Sequence, residues 1–176
     1  KKVVLAIGGS LGARTINESL LVTYKVLLEK DIQLIWQTGK FYFNAIEKQL
    51  QSDKVEGLWI NAFISKMDYA YACADVVVSR AGALSISELC LAAKPSLLIP
   101  SPNVAEDHQT KNALALVKEE AALMLPDAQA KENLQEKILT LIENDNHRAE
   151  MAKNVKALAK PDAAHDIAKE IVKLAS

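Results

Sequence analysis

Two short segments of the chain carry residue types suited to holding phosphate. They are Gly8-Gly9-Ser10-Leu11-Gly12-Ala13-Arg14 and Ser79-Arg80-Ala81-Gly82-Ala83-Leu84-Ser85. Glycine lets a backbone turn tightly and approach a ligand closely. Unpaired amides at a helix start, with the helix dipole behind them, attract an anion. The same glycines also close strand-to-helix turns that bind nothing, so neither loop decides the matter alone. Arg14 and Arg80 put one cation in each loop, although for either arginine alone a solvated surface side chain is the more ordinary reading. Glu88 follows Ser85 by three residues, as Glu18 follows Thr15. That spacing describes a capping box, with the serine or threonine as N-cap. A carboxylate there could instead accept the hydroxyls of a sugar diol, but the spacing by itself favours capping for both glutamates. A third polar segment, Glu106-Asp107-His108-Gln109-Thr110-Lys111-Asn112, offers Gln109 and Asn112 as hydrogen-bonding groups for a sugar. His108 has no visible acid–base partner, so it is a weak candidate for proton transfer.

These segments need a scaffold, and the hydrophobic pattern predicts one. Short apolar runs at Val3–Ile7, Ile32–Trp36, Leu58–Phe63, Asp75–Ser79, Ser96–Ile99 and Ala122–Leu125 read as six strands. Helical spacing fills the intervals: Ile16, Leu20, Tyr24 and Leu27; about Phe41 to Leu50; Met67–Cys73; Ser85–Ala93; and Asp107–Glu119. The remainder is helical, with Leu134, Ile138 and Leu141 on one face and Met151 and Val155 on another. After Pro161, Ile167, Ile171, Val172 and Leu174 line a last helix. Strands alternating with helices imply parallel pairing. The run Val76-Val77-Val78 suits a strand covered on both faces. The expectation is an α/β fold: a doubly wound, mostly parallel, six-stranded Rossmann-like sheet over residues 1–176. In that order the sheet reverses between strands one and four, so the two glycine loops should face one crevice. The first strand begins almost at residue 1, which suggests half of a longer protein.

Composition narrows the function. Of 176 residues, 50% are hydrophobic and 24% charged, with a formal net charge of −1. Such a balance argues against nucleic-acid binding by bulk electrostatics. No apolar run reaches membrane-spanning length, and Lys1-Lys2 before a short apolar run does not read as a signal peptide. Cys73 and Cys90 are isolated, which suits a reducing cytoplasm rather than a disulfide frame or zinc site. The dinucleotide fingerprint needs G-x-G-x-x-G and an acidic residue closing strand two. Here the glycines are Gly8, Gly9 and Gly12, and strand two closes on Trp36-Gln37-Thr38, while Asp31 sits at the strand's other end. No Walker A sequence is present. A dehydrogenase or kinase is therefore disfavoured.

Taken together, "VVLAIGGSLGAR" (Val3–Arg14), "WQTGK" (Trp36–Lys40), "FISKMDYAYACADVVVSRAGALSISEL" (Phe63–Leu89), "PSPNVAEDHQTKNA" (Pro100–Ala113) and "KPDAAHDIAKEI" (Lys160–Ile171) resemble the MurG family. That family comprises the UDP-N-acetylglucosamine:undecaprenyl-pyrophosphoryl-muramoylpentapeptide N-acetylglucosaminyltransferases. The resemblance covers nearly the whole chain, and its combination of GGSxGAR, SRAGALSxSE and HQxxNA is specific.

The resemblance implies the C-terminal, donor-binding half of a GT-B glycosyltransferase. It implies that Gly9, Ser10 and Gly12 lie against the donor diphosphate; the shared crevice, read from the topology, would bring Arg14, Arg80 and Gly82 to the same place. Ile64 would offer its backbone to the uracil. Ala83, Leu84 and Ser85 would bring a helix start to the phosphates, and Glu88 would take the ribose hydroxyls. Gln109, with His108, would meet the GlcNAc, while Asn112 remains a sugar-binding candidate from its residue type. Leu11 stands where many members carry glutamine. The implied partners are UDP-GlcNAc and, through an N-terminal domain absent from this chain, lipid I and the inner face of the cytoplasmic membrane. The resemblance also implies that the acceptor loops, the catalytic base and an arginine shortly before the first strand lie outside this chain. No cofactor is expected. With no Asp-x-Asp motif, no metal is expected either. Other UDP-sugar enzymes of GT-B type, or a binding subunit that needs a partner chain, are the alternatives.

Overall fold

The computed structural model describes residues 1–50 and 55–175. Six strands form one sheet: β1 (Lys2–Ile7), β2 (Ile32–Gln37), β3 (Leu58–Asn61), β4 (Val76–Ser79), β5 (Ser96–Leu98) and β6 (Leu123–Met124). Their order is β3-β2-β1-β4-β5-β6, and every pairing is parallel. The expected fold class is therefore observed, with no antiparallel edge.

The helices α1 (Arg14–Glu29), α2 (Phe43–Leu50), α3 (Met67–Cys73), α4 (Ala83–Ala92) and α5 (His108–Lys118) alternate with the strands. They are followed by α6 (Ala130–Glu143), α7 (Asp145–Ala157) and α8 (Ala163–Ala175). Successive strand residues point to opposite faces, and both faces are covered. Val4, Ala6, Leu34, Trp36, Val76 and Val78 pack with Ile16, Leu20 and Leu27 of α1 and Leu134 and Ile138 of α6. Leu5, Ile7, Val77 and Leu98 pack with Ala70 and Tyr71 of α3, Leu89 of α4, and Ala113 and Leu116 of α5. This double burial explains why the central strands read as unbroken apolar runs.

Some ends differ from the sequence expectation. β3 stops at Asn61, and Phe63 is half exposed in the following turn. β5 and β6 are each shorter than their apolar runs, because Ile99 and Leu125 are buried without belonging to a strand. Helix α8 forms where expected, yet none of its residues is buried; Ile167, Ile171, Val172 and Leu174 lie exposed. Among the described residues, no helix is long and apolar enough to cross a membrane.

Candidate functional site

The order of strands sets the site. β1 and β4 are neighbours, with Ile7 opposite Ser79 in their register. The loops that leave them therefore rise side by side at the point where the sheet reverses, the usual ligand crevice of such a fold. Gly9 and Gly82 both border open space. A Cβ built on Gly9 meets nothing within 4 Å, and one on Gly82 meets only Ser85 Oγ at 3.9 Å. Leu11 and Leu84, one in each loop region, are exposed.

The first loop is held by backbone packing. Gly9 and Gly12 have φ of 82° and 92°, a region that L side chains rarely adopt. A Cβ on Gly12 stands 2.2 Å from the Thr38 carbonyl oxygen, and one on Gly39 stands 2.1 Å from Gly12 N. The turns after β1 and β2 thus interlock. The Lys40 amide donates to Ser10 O at 3.1 Å, and Gly12 N donates to Gly9 O at 3.2 Å. Beneath them, buried Trp36 donates its indole N–H to Asn17 Oδ1 at 2.9 Å, and Asn17 Nδ2 donates to Thr38 O at 2.8 Å.

Gln37, which in sequence marks only the lack of a carboxylate, bridges two turns. Its Nε2 donates to Gly9 O at 3.0 Å, while its Oε1 accepts from the Ile64 amide at 2.8 Å. Ile64 N–H is therefore occupied, and its carbonyl oxygen is what it has to offer a base. A hollow of about 420 Å³ adjoins Ile64, lined by Ile35, Trp59, Phe63, Tyr69 and Cys73.

Both helix starts lack the expected caps. α1 begins at Arg14 with Ala13 as N-cap, and α4 begins at Ala83 with Gly82 as N-cap. No side chain caps either helix, and neither first turn holds an acidic residue. The capping-box expectation is therefore corrected. Ser85 is the third residue of α4, already in helical geometry, and Thr15 is the second of α1. The short, good helix formers Ala83 and Leu84 let the helix start a turn earlier than the capping pattern indicated. The first amides of both helices are left facing the crevice, without an internal anion.

Glu18 accepts from Arg14 Nε at 2.7 Å instead. That contact holds the Glu18 carboxyl below its ordinary range and the Arg14 guanidinium above its own. Glu88 accepts from the Tyr71 hydroxyl at 2.9 Å through Oε2. Both line a groove of about 570 Å³ between α3 and α4, with Met67, Leu91 and Lys94. Burial first, and then the Glu88 charge, push the Tyr71 phenol above its ordinary pKa.

The two arginines are used differently. The Arg14 side chain is 77% exposed. The Arg80 side chain is only 14% exposed, and its Nη1 donates to Ile99 O (3.0 Å), Pro100 O (3.1 Å) and the Asp127 carboxylate. Asp127 also accepts from Thr15 Oγ1 at 2.8 Å. Arg80 thus ties the second loop to the ends of β5 and, through Asp127, to the first turn of α1, rather than converging with Arg14 on the crevice. No local spacing signals this contact, since Asp127 lies 47 residues away.

In the third segment, Glu106 and Asp107 take φ of 53° and 52°. Gln109 Oε1 accepts from the Ser101 amide at 2.9 Å, so the group it can still present to a ligand is its amide N–H₂. Asn112 Nδ2 donates to Ala81 O at 3.1 Å and so braces the second glycine loop. His108 opens α5 and is exposed.

Against this geometry, the glycosyltransferase family 28 C-terminal domain matches residues 3–167. The chain belongs to that family. It is 49% identical over 174 residues to the UDP-N-acetylglucosamine--N-acetylmuramyl-(pentapeptide) pyrophosphoryl-undecaprenol N-acetylglucosamine transferase of Parabacteroides distasonis, covering 99% of this chain and 47% of that protein. It is 50% identical over 172 residues to the transferase of the same name from Porphyromonas gingivalis, covering 98% and 45% respectively. The family 28 domain thus spans about half the length of the curated relatives it matches. The crystal structure of Acinetobacter baumannii MurG is similar at a TM-score of 0.83 and 31% identity, over 98% of this chain and 50% of that one. A complex of S. aureus MnaA with UDP shares the fold at a TM-score of 0.74 and 14% identity, over 97% of this chain and 45% of that one.

Proposed function

We propose that this family 28 domain holds the donor of an inverting transferase. The transferase moves GlcNAc from UDP-GlcNAc to the C4 hydroxyl of the muramoyl sugar of lipid I, giving lipid II for peptidoglycan. The observation that carries this is the pairing of Ile7 with Ser79, which brings two uncapped helix starts and two glycine turns to one open crevice. Relatives about half identical over the whole chain carry a transferase name of that chemistry.

In this reading the amides of Gly9, Ser10 and Gly12 and those of Ala83, Leu84 and Ser85 take the diphosphate, with Gly82 leaving room for it. Glu88 accepts the ribose hydroxyls, and the Ile64 carbonyl accepts the uracil imide N–H. The Gln109 amide N–H₂ and His108 meet the sugar. Arg80 and Asn112 hold the second loop in place. As the sugar leaves, negative charge grows on UDP. Fixed amide donors aimed at it stabilise that charge more in the transition state than in the ground state. The acceptor half and the base for the C4 hydroxyl belong to the portion of the relatives that this chain does not span. The chain alone is then a binder without turnover. The longer protein works at the inner face of the cytoplasmic membrane.

A dehydrogenase is disfavoured on a specific contact. The place where an adenosine ribose would need a carboxylate is held by Gln37, whose amide already bridges Gly9 and Ile64. Calorimetric titration of the chain with UDP, UDP-GlcNAc and NAD tests the proposal. Saturable binding of UDP and UDP-GlcNAc is expected. Saturable NAD binding without UDP binding overturns it.

A further inference from the structure

Given the donor site proposed above, on which this rests, we infer that Tyr71 is a positioning residue. It holds the Glu88 carboxylate in the orientation that accepts both hydroxyls of a ribose. The phenol is a rigid post. Its ring is buried in the core beneath α3, packed with Ala70, Ala74, Leu89 and Cys90. Its hydroxyl donates to Glu88 Oε2 at 2.9 Å beside the groove between α3 and α4 that both residues line. A glutamate on a helix surface otherwise rotates about three bonds, and fixing it costs conformational entropy at the moment of binding. The Tyr71 contact fixes it beforehand.

The geometry also leaves the needed acceptors in place. A carboxylate offers about four lone-pair sites on two oxygens. Tyr71 occupies one of them on Oε2. Oε1 and the remaining site of Oε2 can then take two neighbouring hydroxyls at once. Lys94, the cation lining the same groove, turns its ammonium to Ala74 O at 2.8 Å rather than to Glu88. The phenol remains a donor through the neutral range, since burial and the Glu88 charge oppose its ionisation. Phenylalanine at this position fills the same space and donates nothing.

The test is calorimetry on the 176-residue chain with UDP and with 2′,3′-dideoxyuridine diphosphate, which lacks both hydroxyls. Tyr71→Phe is expected to weaken UDP about tenfold, the size of one hydrogen bond to a charged group. It should leave the dideoxy ligand within about twofold of the parent, because that ligand never meets Glu88. In a Glu88→Ala background, Tyr71→Phe should weaken UDP no further. Equal UDP affinity in Tyr71→Phe and parent overturns the inference and leaves the donor site standing. So does an equal loss for both ligands, which marks a merely structural role. A parent chain that binds no UDP overturns the donor site and the inference together.

Discussion

The two glycine loops occupy equivalent places, each between a central strand and a helix, yet they are built in opposite ways. The loop after β1 is made of interlocked backbone. Gly12 sits against Thr38 O and Gly39, and the Trp36–Asn17–Thr38 chain of hydrogen bonds lies buried below it. The loop after β4 has no such interlock. Side chains from elsewhere hold it: Arg80 reaches to β5 and Asp127, and Asn112 reaches in from α5. The first loop is thus held mainly by backbone packing against the neighbouring turn, and the second is aligned by side-chain struts. A crevice that grips a flexible diphosphate gains from one fixed wall and one wall with room before it. Gly82 supplies that room, since its added Cβ meets only Ser85 Oγ.

The sharpest way to break this contrast is to add one methyl group to each loop. Gly12→Ala combines a positive φ with a Cβ 2.2 Å from a backbone oxygen that has no room to move. Strain and overpacking add, so a loss of about 4 kcal/mol or more is expected. Urea unfolding followed by circular dichroism measures it. A loss under about 1 kcal/mol would show that the interlock is soft, and the contrast between the loops would fail.

Asn17→Leu tests the layer beneath. Leucine fits an apolar interior, but it leaves the Trp36 indole N–H and the Thr38 carbonyl without their buried partner. About 2–3 kcal/mol should be lost, since an unsatisfied buried polar group forfeits its desolvation cost. The same unfolding experiment reads it, with Trp36 fluorescence as a local reporter.

These two residues also show what sequence can and cannot reveal. The strands, their parallel order and the shared crevice were legible, because double burial writes itself as apolar runs and helices as periodic ones. The cap positions were not. Ser85-x-x-Glu88 has the spacing of a capping box, but helix start is decided by where the backbone leaves β4. Gly82 takes that place in extended conformation, at φ −68° and ψ 150°. Glu88 instead answers to Tyr71, 17 residues away, and Arg80 to Asp127, 47 residues away. Contacts at such separations follow from the folded topology, and no local spacing encodes them. Gln37 was visible as a residue yet not as a bridge, for the same reason.

Gly82→Ala is the counterpart of Gly12→Ala. Its φ of −68° suits alanine, and nearby space is open. Stability should change by less than about 1 kcal/mol, the scale of an N-cap replacement. The methyl then stands where the diphosphate is proposed to lie, so UDP affinity should fall about tenfold, equivalent to roughly 1.4 kcal/mol. Calorimetry beside unfolding separates the two effects. An unchanged UDP affinity would mean that the ligand does not approach this glycine.

Arg14→Ala is the smallest change and the one that tells whether the first wall needs its arginine for structure. Arg14 contacts Glu18 along α1, with the arginine largely exposed and the glutamate half exposed, so water and salt screen the pair. Such a pair contributes little to folding. Glu18 titrates below its ordinary value because Arg14 donates to it and lends its charge. A depressed carboxylate stabilises the fold above its unfolded pKa and loses that contribution as pH falls through the folded value. The pair's small contribution is therefore fully present at neutral pH, and its pH dependence lies on the acid side. In Arg14→Ala, the Glu18 titration followed by carboxyl carbon NMR should move back up toward the ordinary glutamate range, while the unfolding midpoint at neutral pH falls only slightly, by the small amount an exposed pair contributes. If the midpoint falls well beyond that, Arg14 braces the first loop as Arg80 braces the second, and the two walls are more alike than their glycines indicate.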